Sequence, residues 1–256
     1  MITGTVEILQ VSGLATVQDA GRPGRMHEGI PPGGACVPER LAAANAAVGN
    51  PADAAAIEVF GSLRLSSDAL ASIDGAPAVG PEIAVSGRAR IVALAGGLDV
   101  PVVLGGRGTL MVAGIGRPLR RGDRIPLGPS AGGPRPGPVE LPDGPLRMLQ
   151  GPDLGAFPPG ALEALTAAPL SVSAVGDRTG IRLVTPVDPP WRPLSLPSGV
   201  SAPMVRGAIQ VTPSGELIVL GPDHPTTGGY PVIAVLLRAD LGRLYTLPPG
   251  APVRFC

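Results

Sequence analysis

Short runs of apolar and β-branched residues, separated by glycine and proline, recur along most of the chain. Runs of this kind, bounded by turn residues, predict β-strands. The clearest pair is Ala208–Val211 and Leu217–Leu220, because Thr212–Gly215 between them supplies the proline and glycine of a tight turn and predicts a hairpin. The other runs predicted as strands are Thr5–Val11, Ala56–Val59, Leu63–Leu65, Ala69–Ile73, Arg88–Ala95, Val100–Leu104, Thr109–Val112, Leu146–Gln150, Leu170–Ala174, Ile181–Val184, Val232–Leu237 and Ala251–Phe255.

Three segments carry helical signals instead. Pro38–Val48 has a proline in its first turn, an alanine-rich body and Gly49 at its end. Pro159–Ala167 predicts a second short helix, and Arg238–Leu241 a single helical turn. Because strands far outnumber helices and do not alternate with them, the pattern predicts a mainly β fold of barrels with a few short helices.

One stretch, Pro129–Pro145, is dominated by proline and glycine and predicts a semi-rigid linker. The predicted organisation is an N-terminal β-barrel lobe over residues 1–128, the linker over 129–145, and a C-terminal β-barrel lobe over 146–256. Glycine and proline number 38 and 33 of 256 residues, which alone is typical of disorder. The 44% hydrophobic content predicts instead a chain that collapses into a core, with these residues between its strands.

The composition excludes several kinds of chemistry. All 20 basic residues are arginine, so the chain has no Walker A lysine, no Schiff-base lysine and no biotinylation site. A net charge of +0 gives no electrostatic basis for binding nucleic acid or an anionic membrane. Two cysteines and two histidines make neither a disulfide framework nor a zinc site. Without a signal-like N-terminus or an apolar run long enough for a membrane span, we expect a cytoplasmic protein.

Two loops contain the most candidate chemistry. In Asp223–Tyr230, two hydroxyls, a carboxylate, an imidazole and a phenol surround Gly228 and Gly229, whose backbone N–H groups are open to a ligand. The loop could therefore hold a carboxylate or phosphate oxygen, or its threonines could satisfy only their own backbone. In the earlier loop, Asp19 and Arg22 lie across a glycine turn, where they could pair with each other or face a ligand.

Two further positions leave similar alternatives open. Asn45 shares a helix face with Leu41 and Val48, so it is either a core amide that clamps backbone or a ligand contact. Asp177 and Arg178 repeat the pattern of an aspartate and an arginine in a glycine turn. Trp191, bracketed by prolines, is predicted to be a packing residue.

Eight motifs follow one another along the chain: GLATVQDAGR (13–22), GIPPGGA (29–35), ANAAVGN (44–50), AGGLDVP (95–101), VLGGR (103–107), DRTGIRL (177–183), GAIQV (207–211) and TTGGYP (226–231). In this order they resemble the motifs of the allophanate hydrolase subunit 2 family, and the similarity runs from residue 6 to residue 255. This family includes the C subunits of 5-oxoprolinase and a carboxyltransferase subdomain of urea carboxylase.

The resemblance implies two cyclophilin-like β-barrel lobes and an enzyme that is completed by a protein of the 5-oxoprolinase B-subunit or allophanate hydrolase subunit 1 family. In the 5-oxoprolinase branch it implies a third subunit and the ATP-dependent opening of 5-oxoproline to glutamate. In the urea carboxylase branch it implies carboxyl transfer from carboxybiotin to urea. A non-catalytic regulatory module is the alternative, because this chain has Val37 and Val232 where relatives have aspartate and lysine.

On this basis we expect Asp19 to be the catalytic base, and we expect no metal. Guanidinium groups suit carboxylate or phosphate, and hydroxyls and glycine amides suit oxyanions. The residues expected to bind substrate are Arg22, Asn45, Arg178, Gln210, Thr226, Thr227, Gly228, Gly229 and Tyr230. ATP is expected to be used by the complex without a Walker motif in this chain. The mean hydropathy of +0.31 predicts an apolar patch that the partner protein covers.

Overall fold

The computed structural model describes residues 4–130, 133, 137–195 and 201–256. The chain divides into two units: Met1–Gly24 with Pro32–Glu140, and Arg25–Pro31 with Leu141–Cys256. The predicted linker over 129–145 includes residues that lie outside the described ones, so its boundaries stay a prediction. Among the described residues, no helix is both long and apolar enough to span a membrane.

The first unit is a six-stranded antiparallel sheet with one helix, in the strand order β4-β3-β5-β2-β1-β6. Its elements are β1 (Thr5–Gln18), α1 (Pro38–Ala47), β2 (Ala56–Ser66), β3 (Ala71–Ile73), β4 (Ala76–Ala78), β5 (Glu82–Leu94) and β6 (Arg124–Pro126). Alternate residues of β1 and β2, such as Val6, Ile8, Ile57 and Val59, form the main core. The opposite face of β2 and β5 packs against α1 through Ala56 and Ile91.

A line of glycines crosses the three long strands of this sheet. Gly13 of β1 pairs with Gly61 of β2, and Gly61 pairs in turn with Gly87 of β5. All three have positive φ angles, of 92°, 119° and 133°. A Cβ on Gly13 would lie 2.3 Å from the Phe60 carbonyl oxygen, and one on Gly61 would lie 2.1 Å from that of Ser12. Glycine is therefore required where the strands bend, and the bend gives the sheet its curl.

The second unit is built on a seven-stranded antiparallel sheet in the order β15-β8-β9-β12-β11-β14-β7. Its elements are β7 (Met148–Gln150), α2 (Ala161–Ala167), β8 (Leu170–Gly176), β9 (Gly180–Val184), β10 (Ala202–Pro203), β11 (Ala208–Val211), β12 (Leu217–Leu220), β13 (Thr227–Gly228), β14 (Val232–Leu236), α3 (Arg238–Thr246) and β15 (Pro252–Val253). A parallel bridge between Leu146 and Phe255 joins the two edges of the sheet. The Leu146 N–H donates to the Arg254 carbonyl at 2.7 Å, which ties the sheet into a closed curve.

The mainly β fold is confirmed, and the hairpin of β11 and β12 has the predicted bounds. Trp191 is fully buried and donates from Nε1 to the Gly215 carbonyl at 3.0 Å, as expected of a packing residue. Two predicted strands are wrong. Val100–Leu104 is irregular and ends in the Leu104–Gly105 turn, and its Val100 and Val103 carbonyls accept hydrogen bonds from arginine side chains. Thr109–Val112 leads into a 3-10 turn at Met111–Ala113. The helical turn at Arg238 extends to Thr246 because its apolar face packs inward.

Candidate functional site

The loop that follows β12 is held by backbone pairing on one side. Thr227–Gly228 (β13) pairs with Ala202–Pro203 (β10), and the Met204 N–H donates to the Thr226 carbonyl at 3.0 Å. The side chains of Thr226 and Thr227 are not needed for this pairing. The loop is therefore positioned by its backbone, and its hydroxyls lie on a partly exposed edge.

A buried ion pair fixes the start of the same loop. The Arg178 guanidinium donates from Nε and Nη2 to the two carboxylate oxygens of Asp223, both at 2.9 Å. Each side chain is only 3% exposed. The Asp223 N–H also donates to the Arg178 carbonyl at 3.1 Å, so side chains and backbone join the β8–β9 turn to the loop. In this structure the guanidinium of Arg178 is engaged by a carboxylate of its own chain.

Beside this loop lies a pocket of ≈ 430 Å³, which we call the Gln210 pocket. Such a volume is ordinary for a small-molecule site. Gln210 is held in place because its Nε2 donates to the Tyr230 carbonyl at 3.3 Å and contacts the Met204 sulfur at 3.2 Å. The polar and apolar walls of the pocket include Asp177, Thr179, Arg182, Gln210, Ile218, Leu220, Pro225 and Tyr230.

Gly228 supports the Gln210 pocket at close range. A Cβ at this position would lie 2.9 Å from Gln210 Nε2, whereas a Cβ on Gly229 would meet nothing within 4 Å. The two predicted glycines therefore differ: a side chain at Gly228 would displace the amide of Gln210, and Gly229 borders open space.

A second pocket, of ≈ 370 Å³, lies in the first unit and is called the Asp19 pocket. Its walls include three aspartates (Asp19, Asp53 and Asp99) and the backbone of several glycines. Asp19 is 7% exposed, and its two carboxylate oxygens accept the N–H groups of Gly21 at 2.8 Å and Arg107 at 2.5 Å. The carboxylate is therefore fixed in orientation by backbone donors.

Arg22 lies close to Asp19 in the chain and serves the neighbouring loop. It is 2% exposed, and it donates to the carbonyls of Val103 at 2.8 Å, Gly106 at 3.1 Å and Gly108 at 2.6 Å. Charged donors to three carbonyls hold the loop from Asp99 to Gly108 as one piece. Arg22 and Asp19 thus act on the same loop from two sides.

Asn45 clamps backbone, which is one of the two alternatives that the sequence left open. Its Nδ2 donates to the Ala54 carbonyl at 2.8 Å, and its Oδ1 accepts from Asn50 Nδ2 at 3.0 Å. Asn50 in turn donates to the Leu94 carbonyl at 2.8 Å and accepts from the Gly96 N–H at 2.8 Å. Ala54 and Gly96 line the Asp19 pocket, so this amide pair shapes its wall.

The predicted site residues therefore fall into two groups. Asp19, Arg22 and Asn45 surround or support the Asp19 pocket in the first unit. The rest belong to the second unit, where Gln210 and Tyr230 line the Gln210 pocket. The roles assigned to all of these residues stay predictions.

Glu58 and His224 are two of the buried polar residues that were not among the predicted site residues. Glu58 of β2 is fully buried, and its Oε1 accepts the Cys36 N–H at 2.6 Å, which fixes the loop before α1. The sequence could have indicated this residue, because Glu58 is a lone glutamate within an apolar strand. His224 is fully buried, with Nδ1 at 2.7 Å from the Pro225 carbonyl, so Nδ1 carries the proton of the neutral ring.

Burial lowers the pKa of His224, and the nearby Arg206 lowers it further, while the bond to Pro225 and the charge of Asp223 act in the opposite direction. His224 is therefore neutral at physiological pH. Within the described part of the chain, no group of three or more histidine, cysteine, aspartate or glutamate residues could hold a metal ion.

The two departures from the family motif have structural positions. Val37 is the residue before the first turn of α1, and it offers no side-chain bond to the helix N–H groups. Val232 begins β14, is buried, and its N–H donates to Asp153 at 2.9 Å. Neither residue lines the two pockets described above.

Comparison with known proteins gives a consistent result. The family model of the carboxyltransferase domain, subdomain A and B, matches residues 28–84 and 82–256. The C subunit of 5-oxoprolinase from Escherichia coli K12 is 32% identical over 98% of this chain and 90% of its own length.

Solved structures extend the comparison to the fold. TTHA0988 superimposes with a TM-score of 0.78 at 28% identity, over 98% of this chain and 55% of the other. The urea amidolyase of K. lactis gives a TM-score of 0.81 at 23% identity, over 98% of this chain and 18% of the other. The chain thus spans about half of TTHA0988 and less than a fifth of the urea amidolyase.

Proposed function

Because the chain belongs to the carboxyltransferase domain family, subdomains A and B, we propose that it is one component of an ATP-dependent amidohydrolase of the 5-oxoprolinase type. In this proposal it acts with a protein of the B-subunit or subunit 1 family, and with a third subunit, to open 5-oxoproline to glutamate. The complex is proposed to work in the cytoplasm, where ATP is available.

The observation that carries this proposal is the extent of the match to the C subunit of 5-oxoprolinase. The similarity covers 98% of this chain and 90% of that protein, so the two correspond almost end to end. By contrast, the chain corresponds to 18% of the urea amidolyase, where the likeness supports only the fold. The similarity therefore favours the 5-oxoprolinase type over the urea carboxylase type.

The Gln210 pocket suits a small cyclic amide with a carboxylate. The Nε2 of Gln210 already donates to Tyr230 and contacts Met204, so its side-chain oxygen is the group available to accept the ring N–H of the substrate. Tyr230 and Thr179, which line the pocket, would donate hydroxyl hydrogen bonds to the substrate oxygens, and Ile218 would contact the ring carbons. These contacts would orient the amide for attack.

The reaction itself is the addition of water to a ring amide. The water oxygen bonds to the ring carbonyl carbon, the C–N bond breaks, and a proton passes to the ring nitrogen to give the free amine of glutamate. A base must take a proton from the water. The predicted base, Asp19, belongs to the first unit and does not line the Gln210 pocket, so no base is assigned to this pocket.

ATP is proposed to be held by another polypeptide of the complex. Its chemistry, when bound, is to activate the amide oxygen by phosphoryl transfer. This chain offers no lysine for a phosphate, and both predicted phosphate-binding arginines donate to groups of the chain itself, Arg22 to carbonyls and Arg178 to Asp223. The residues do not fit a nucleotide cradle, so no step through ATP is assigned to them.

Reconstitution tests the proposal. The purified components are assayed for ATP-dependent glutamate formation from 5-oxoproline, with and without this chain. We expect turnover only when the chain is present. The double variant Thr226→Ala/Tyr230→Ala should abolish turnover while the chain stays folded, because the loop is held by its backbone.

The conservative variant Tyr230→Phe keeps the ring and removes only the hydroxyl, so it separates hydrogen bonding from packing. Equal turnover in the absence of the chain would end the proposal. Carboxyl transfer from carboxybiotin to urea, assayed in parallel, would assign the chain to the other branch. A tight complex without either activity would favour a regulatory module.

A further inference from the structure

The loop that borders the Asp19 pocket also presents an unusual apolar surface. Five of the large apolar side chains that are exposed in the described structure fall within residues 102–112. Their exposed fractions run from 40% to 59%. We call them the apolar loop surface: Val102, Val103, Leu104, Met111 and Val112. Single exposed apolar residues need no explanation, but five within one short stretch of chain make this loop a candidate interaction site.

A pocket opens beside this surface. Its volume is ≈ 390 Å³, and it is here called the apolar pocket. Its walls include Val17, Val103, Ile115, Leu119 and Ile125, so Val103 belongs both to the pocket and to the surface. A pocket of this size and lining accepts one large apolar side chain, which is how anchor residues of protein partners bind.

The surface is held rigid in a strained form. Val103 and Gly106 exchange two backbone hydrogen bonds, of 2.8 and 3.2 Å, around the two-residue turn Leu104–Gly105. Both turn residues have positive φ, 54° and 89°. Such turns favour Asn-Gly, and a leucine there is strained as well as exposed. The Arg22 guanidinium holds the same turn in place by donating hydrogen bonds to the Val103 and Gly106 carbonyls.

Charge near the apolar pocket is unbalanced. Residues 99–125 contain five arginines and two aspartates. Three of these arginines pair with carboxylates: Arg107 with Asp99, Arg117 with Asp123 and Arg124 with Glu7 of β1. Arg120 and Arg121, both exposed, then give this segment and Glu7 together a net charge of +2. A partner that fits this surface therefore combines an apolar anchor with acidic neighbours.

We propose that the apolar loop surface and the apolar pocket are the docking site for an acidic segment of the partner protein, which inserts one large apolar side chain into the pocket. The existence of this partner rests on the proposed function. The docked loop is the one whose Arg107 N–H donates to Asp19 at 2.5 Å, so docking would fix one wall of the Asp19 pocket.

The test measures binding of the B-subunit homologue encoded in the same genome to the full-length chain. The variant Leu104→Asn/Val112→Asn removes two apolar side chains, and asparagine tolerates the left-handed turn position, so the fold is kept. Val79→Asn is the matched control, because Val79 is 93% exposed and lies outside the surface. We expect at least about a tenfold loss of affinity for the double variant and none for the control.

Charge complementarity gives an independent readout. Arg120→Glu/Arg121→Glu should slow association, and raising the salt concentration from about 0.05 to 0.5 M should slow association of the unaltered chain. Equal affinity for the chain and the Leu104→Asn/Val112→Asn variant would overturn the proposal. The proposal would also be overturned if the Leu104→Asn/Val112→Asn variant kept its affinity for the partner but lost self-association, measured by sedimentation of the chain alone.

Turnover of 5-oxoproline distinguishes this failure from failure of the proposed function. Full turnover and unchanged affinity in the Leu104→Asn/Val112→Asn variant would refute only the docking site. Binding that depends on the surface, without turnover by the unaltered complex, would refute only the function. If the unaltered chain binds no partner, both are wrong.

Discussion

The buried pair of Arg178 and Asp223 offers the sharpest test of whether a predicted substrate-binding arginine is instead structural. Replacing Arg178 by methionine leaves the Asp223 carboxylate buried without its partner. Removing one member of a buried pair typically costs about 3–5 kcal/mol, because the remaining charge loses its compensation. Both side chains here are 3% exposed and joined by two bonds of 2.9 Å, so we expect Arg178→Met to fall in this range.

The assay is thermal and urea unfolding of the isolated chain. For a protein of this size, a loss of about 3–5 kcal/mol lowers the melting temperature by roughly 6–20 °C. The double variant Arg178→Met/Asp223→Leu removes both charges, and replacement of a whole buried pair by apolar residues is often neutral. We therefore expect the double variant to recover most of the stability lost in the single variant.

Activity of the reconstituted enzyme then separates the two roles. If Arg178 only holds the loop, the double variant recovers turnover together with stability. If Arg178 binds substrate, the double variant recovers stability while turnover stays lost. A single variant that is destabilised by less than about 1 kcal/mol would refute the reasoning, because a pair with both members buried cannot be broken at so little cost.

Two further predictions concern the loop after β12. Gly228→Ala should raise KM for the substrate several-fold, because the new Cβ would lie 2.9 Å from Gln210 Nε2. Gly229→Ala is the control, and it should leave the kinetics unchanged because open space surrounds Gly229. Equal effects of the two variants would be evidence against the Gln210 pocket as the substrate site. Burial lowers the folded-state pKa of His224 below its unfolded value of 6.5, so its contribution to stability is present above that value and is lost as the pH falls below it. Unfolding measured from pH 7.5 to 5 should show this loss of stability. His224→Asn, which keeps a donor for the Pro225 carbonyl, should make the loss of stability smaller. His27→Asn is the control, because His27 is 75% exposed, and it should leave the pH dependence of stability unchanged.

Sequence patterns located the hairpin, α1 and the mainly β class because these depend on local signals. The turn residues of Thr212–Gly215 and the proline and glycine around α1 act within a few positions of themselves. By contrast, the strand starting at Thr5 was predicted to end at Val11, and it continues to Gln18. Glycine in a strand interior normally weakens it, but Gly13 lies within β1, where it pairs with Gly61 of β2.

The candidate site was less accessible to sequence reasoning, because side-chain partners are set by tertiary contacts. The motif containing Asp19 and Arg22 was found, but the partners of Arg22 are carbonyls 81 to 86 residues away. Likewise, the aspartate next to Arg178 in the sequence is Asp177, whereas the carboxylate that Arg178 binds belongs to Asp223, 45 residues further along the chain. Composition and spacing cannot choose between a ligand and a distant group of the same chain.

The line of Gly13, Gly61 and Gly87 has a consequence for how this family can change. A Cβ on Gly13 or on Gly61 would meet a backbone carbonyl oxygen of the opposite strand, so either replacement forces β1 and β2 apart at the same place. Once the first replacement has separated the strands, a second one at the paired position adds less than its separate effect. Substitutions at Gly13 and Gly61 should therefore be strongly non-additive, whereas a substitution at Gly87, whose Cβ would meet only the Arg90 side chain, should act independently of them.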